Sequence, residues 1–111
     1  MAAMSVMSHE AREWNIEDLE KLPDDGQRYE IIDGALIASP SPIPIHQRVI
    51  RNLMKVLDAA CPSELEVYLS PLDYQPSRHI SVQPDLLIVR TGDPDEKNLK
   101  VAPLLAVEVL S

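Results

Sequence analysis

At 111 residues the chain is one small domain, able to bury roughly 65% of the surface its unfolded form exposes. Ten Lys and Arg stand against 18 Asp and Glu, a formal net charge of −8. That balance excludes holding nucleic acid by bulk charge, so such a role needs a local basic patch. The single Cys61 excludes an intrachain disulfide, and neither a secretory leader nor a membrane span is expected, which makes the cytoplasm the default location.

Residues 1–12 predict a disordered tail, with the folded domain expected over 13–111. A short helix is predicted after Trp14. Asn15 can cap it, Glu17 and Asp18 suit its positive first turn, and Pro23 closes it. Residues 29–32 and 35–38 flank Asp33-Gly34, a dipeptide suited to the positive φ angles of a two-residue hairpin turn. A Pro-rich connector follows. Ile45, Val49, Leu53, Leu57 and Ala60 then recur every three or four residues, predicting an amphipathic helix over 44–60 with Pro44 near its start. Pro62 stops that helix, and Cys61 reads as a small apolar residue at its end. Residues 65–75 and 80–89 predict two long strands around a turn at Ser77-Arg78, with Pro71 kinking the first or placing it at an edge. A polar loop over 91–103 leads to a last strand at 104–110. The order predicts an α+β domain with a mixed β-sheet and flanking helices.

Two carboxylates stand in apolar runs. Asp85 lies in Gln83-Pro84-Asp85-Leu86-Leu87-Ile88-Val89 and Glu108 in Leu104-Leu105-Ala106-Val107-Glu108-Val109-Leu110. Both runs are short and continuously apolar, so both predict buried strands. A carboxylate there is costly to bury without a cationic partner. Two of them, on strands that can lie side by side, point to a metal ion. Magnesium takes oxygen ligands, usually one or two protein carboxylates plus water and substrate phosphate.

Arg28-Tyr29-Glu30-Ile31-Ile32-Asp33-Gly34, then Ser41-Pro42 with His46 opening a helix, then Gln83-Pro84-Asp85-Leu86-Leu87, then Val107-Glu108-Val109-Leu110-Ser111 follow one another in this order. Together they resemble the Uma-type putative restriction endonuclease domain of the PD-(D/E)xK nuclease superfamily, from about Trp14 to Ser111. The resemblance implies a restriction-endonuclease-like core that hydrolyses DNA phosphodiesters. Asp85 and Glu108 would ligate Mg²⁺ or Mn²⁺. Glu30 matches the family's first acidic position and would complete the site; its alternative is an outward-facing hairpin residue. His46 matches too, for phosphate or water contact, or else is a polar residue of a helix's first turn. Tyr29 and Asp33 match but read as packing and turn chemistry.

One departure stands out. The superfamily places a Lys two residues after the Glu, and Leu110 occupies that position. In the Uma-type family the Lys is displaced onto a helix beyond the last strand. The resemblance therefore implies a domain lacking the C-terminal part of its core, inactive or very weak as given, without the cation that stabilises the phosphate. The alternative is a non-catalytic interaction or dimerisation module on the same fold, a homodimer burying the uncovered last strand. Arg48, Arg51 and Lys55 form a stripe on the central helix, read as a solvated face or a phosphate-backbone contact. Asp93, Asp95 and Glu96 lack the Gly and terminal Glu of a calcium loop.

Overall fold

The computed structural model describes residues 5–6 and 12–110. Most of the tail expected at 1–12 lies outside them. The described elements are β1 (Ser5–Val6), α1 (Ile16–Leu19), β2 (Arg28–Ile32), β3 (Ala35–Ser39), α2 (Pro44–Ala60), β4 (Leu65–Leu69), β5 (Tyr74–Ser77), β6 (Ile80–Val82), β7 (Leu86–Arg90) and β8 (Leu105–Val107). The α+β class is as expected. The strands divide into a five-stranded sheet, β1-β3-β2-β6-β5, and a three-stranded sheet, β4-β7-β8. The named strand pairs are antiparallel, and Tyr74↔Leu99 adds an isolated parallel bridge. Among the described residues no helix is long and apolar enough to cross a membrane.

Local chemistry explains the first elements. Asn15 Oδ1 accepts from Asp18 N–H at 3.0 Å while Asp18 Oδ2 accepts from Asn15 N–H at 3.1 Å. This reciprocal capping box satisfies donors that a four-residue helix cannot satisfy internally. β2 and β3 pair from Arg28↔Ser39 to Ile32↔Ala35. Between them Asp33 and Gly34 have φ of 48° and 82°, the type I′ pattern whose twist matches the strands. Gly34 is doubly constrained, because a Cβ there would stand 2.6 Å from Glu13 Cγ, where the N-terminal segment crosses the turn.

Two expected long strands are broken. Where one strand was predicted over 65–75, β4 ends at Leu69 and β5 begins at Tyr74, with Pro71 between them. Where one was predicted over 80–89, β6 ends at Val82 and β7 starts at Leu86, with Pro84 between them. Proline has no N–H to give a ladder, and each interruption contains one. The second break carries the chain from the five-stranded sheet into the three-stranded one.

β7 is buried from Leu86 to Val89. Leu87 and Val89 pack with Leu99, which is fully buried although it belongs to the polar loop, and Tyr68, Leu72 and Tyr74 surround them. Each such Leu contributes about 2 kcal/mol by leaving water. The loop is pinned by its backbone as well. Gln75 N–H donates to Leu99 O at 2.8 Å, and Leu99 N–H donates to Asp73 O at 2.9 Å.

Two expectations about burial are corrected. α2 has the expected bounds, but its inward face carries His46 and Ile50, whereas Ile45 and Val49 of the predicted apolar stripe are exposed. Among named elements α2 packs chiefly on β4, so only part of its apolar face is covered. β8 is also not a buried strand. It is the edge of its sheet, and Leu104 and Leu105 are exposed.

Candidate functional site

Gln83, Pro84 and Asp85 join β6 to β7, and the predicted site residues gather around this crossing. Asp85 immediately precedes β7, with 1% of its surface exposed. β7 and β8 pair with Leu86 opposite Val107, so one further step in register sets Asp85 opposite Glu108. The two carboxylates thus leave one end of one strand pair, as their positions in the sequence suggested.

Asp85 is held on both oxygens. Oδ2 accepts from the Val109 N–H at 2.7 Å and lies 3.3 Å from His46 Nε2. Oδ1 faces Arg28 Nη1 at 3.4 Å. A backbone N–H, a guanidinium and an imidazole thus satisfy this strand-end carboxylate in its buried position.

Glu30 lies on β2, in the other sheet, with 6% of its surface exposed, which rules out an outward-facing hairpin residue. Its Oε2 accepts from the Gln83 N–H at 2.6 Å, and its Oε1 lies 3.8 Å from Arg28 Nη2. Arg28 and Glu30 are two residues apart on one strand, so both point to one face. The guanidinium there reaches Glu30 of its own sheet and Asp85 at the entry to the other.

His46 sits in the first turn of α2, with 8% of its surface exposed. Its Nε2 is 2.8 Å from Val109 O and also faces Asp85. Both partners are acceptors, so Nε2 carries the proton. Its Nδ1 is buried and has no hydrogen-bond partner among the described residues, as is the case for Arg28 Nε and for Ser39 Oγ opposite Arg28. His46 therefore ties α2 to the segment that carries Glu108.

Glu108 differs from the other two acids. Its side chain is exposed, against the buried position expected for it. Partial burial nonetheless pushes its carboxyl above the ordinary carboxylate range, the charges of Asp85 and Glu30 push the same way, and Arg28 and His46 oppose them. Among the described residues no three His, Cys, Asp or Glu side chains are grouped so as to hold a metal ion.

The remaining candidates take structural places. Tyr29 OH donates to Asp25, and Asp33 makes the hairpin turn. Asp95 Oδ1 accepts from the N–H groups of Lys97 and Asn98, a local turn. Arg48, Arg51 and Lys55 are exposed, about half a turn around α2 from His46 and Ile50, so they face away from the carboxylates. Arg28 was the missed residue: its spacing from Glu30 was the available signal.

Residues 16–111 match the family described as Uma2, putative restriction endonuclease. No curated protein matches the chain.

Proposed function

Starting from a chain that belongs to the Uma2 putative restriction endonuclease family, within the PD-(D/E)xK-like nucleases, we propose a divalent-metal-dependent site for hydrolysis of DNA phosphodiesters. The observation that carries this proposal is the juxtaposition of Asp85 and Glu108 across the β7–β8 register, with Glu30 entering from the other sheet. Asp85 and Glu108 would hold Mg²⁺ or Mn²⁺, and Glu30 would assist. The donor set fits such an ion in chemistry, because three carboxylates supply hard oxygens. Burial first, and then the charges of Asp85 and Glu30, disfavour an ionised Glu108, a cost that a cation bound beside it would relieve. Bound there, the ion would acidify a water molecule and neutralise the attacked phosphate.

The chain's own residues do the positioning. The Val109 N–H fixes one Asp85 oxygen, the Gln83 N–H fixes one Glu30 oxygen, and His46 holds the Val109 carbonyl. With Leu110 where the superfamily motif has Lys, this chain alone is expected to cut DNA weakly or not at all, so metal binding is the better measurement. Asp85→Asn keeps an acceptor for Val109 and removes the charge. It is expected to abolish Mn²⁺ binding by calorimetry, and equal binding by wild type and variant would sink the metal assignment.

A second reading has its own observation. Ile45, Val49 and Val56 on α2, and Leu104 and Leu105 on the β8 edge, are exposed apolar residues suited to an interaction or homodimer surface. Light scattering is the check, and a monomer at high protein concentration would count against it.

A further inference from the structure

We propose that Arg28 is a displaceable resident cation of the carboxylate site, holding Asp85 and Glu30 together until a divalent ion takes its place. The proposal rests on the metal-dependent reading above. Arg28 is the one Arg or Lys side chain bridging these acids among the described residues, at 3.4 Å from Asp85 Oδ1 and 3.8 Å from Glu30 Oε1. The Val109 N–H and His46 take up Asp85 Oδ2, so a cation on Asp85 would compete with the guanidinium for Oδ1.

The geometry also makes Arg28 a weakly anchored occupant. A guanidinium recognises a carboxylate best through two short parallel N–H bonds of about 2.7–2.9 Å. Here each carboxylate receives one longer contact, and Nη1 is shared with the Gln83 carbonyl at 3.4 Å. Nε is buried without a partner, which costs free energy that a better-seated arginine would not carry. The side chain is about a quarter exposed, at 24%, so it has a route to solvent, whereas Asp85 at 2% has none. Arg28 can therefore leave while the carboxylates stay.

Competition of this kind has a simple consequence. Apparent affinity for the ion falls in proportion to the fraction of molecules in which the occupant has withdrawn. If Arg28 is withdrawn about a tenth of the time, removing it raises affinity about tenfold.

The experiment is Mn²⁺ calorimetry on the full chain as wild type, Arg28→Gln and Arg28→Lys. Arg28→Gln is expected to bind about tenfold more tightly than wild type, and Arg28→Lys, which keeps the charge, to stay close to wild type. Binding by all three at wild-type affinity overturns displacement and leaves the metal assignment standing. No binding by any of them overturns both. Should Arg28→Gln not fold, the wild-type protein supplies the test by NMR. The Arg28 Nε–H resonance is expected to move as Mg²⁺ saturates the site, and a stationary resonance during saturation overturns the proposal.

Discussion

β7 and β8 pair residue for residue, and each delivers a carboxylate at the same end, yet the two acids live under opposite conditions. Asp85 follows the crossing between the sheets and enters a strand buried along its core. Its oxygens meet a backbone N–H, an imidazole and a guanidinium. Glu108 leaves an edge strand, remains exposed, and faces the negative charges of Asp85 and Glu30. The difference teaches that similar apolar sequence around an acid does not set its environment. What sets it is whether the strand is central or peripheral in its sheet. In the reading proposed here the first acid is the fixed anchor of the site and the second is its responsive member.

The largest expected effect comes from breaking the anchor. Asp85→Ala removes the acceptor for Val109 N–H and leaves Arg28 partly buried with Glu30 as its remaining carboxylate partner. Losing one partner of a buried ion pair costs about 3–5 kcal/mol, and the partial exposure of Arg28 places this case toward the lower end. Urea denaturation should show that loss in the metal-free protein, with Asp85→Asn less destabilised because it keeps an acceptor for Val109. If Asp85→Ala were as stable as wild type, Asp85 would be no more anchored than Glu108 and the comparison would collapse.

Much of this arrangement was legible in the sequence because it is set by local chemistry. Asn15 and Asp18 mark a capped helix start, Asp33-Gly34 marks a hairpin turn, and Pro44 and Pro62 bracket α2. The placing of Asp85 and Glu108 at one end of adjacent strands was legible too, because two apolar runs each carried one acid. What stayed hidden depends on tertiary position. Nothing local says that residues 83–85 cross between sheets, although Pro84 signals that the ladder stops. The periodicity of α2 defines an apolar face but not how much of it a neighbouring layer covers, so Ile45 and Val49 end up exposed. Leu99 lies in a polar loop and is recruited to the core by partners distant in sequence. Arg28 was visible as a cation two residues before Glu30, but only the fold brings Asp85 to it.

The smallest expected effect tests the responsive member. A carboxyl whose folded pKa is raised binds its proton more tightly in the folded state than in the unfolded one. Its contribution to stability is then fully present below the ordinary carboxylate pKa and is lost as pH rises through the raised folded value. For Glu108, burial and the charges of Asp85 and Glu30 give that upward direction. In metal-free protein, Glu108→Gln should therefore match wild type at low pH and become the more stable of the two as pH rises toward neutral. Solvent screening of an exposed side chain keeps the gain below about 1 kcal/mol. Paired thermal melts across that range in the presence of a chelator would measure it. Added Mn²⁺ should reverse the order at neutral pH, because an ion held between Asp85 and Glu108 stabilises only the chain that keeps both carboxylates. A Glu108→Gln variant that gained no stability without metal would remove the unfavourable setting of the Glu108 charge on which the contrast with Asp85 depends.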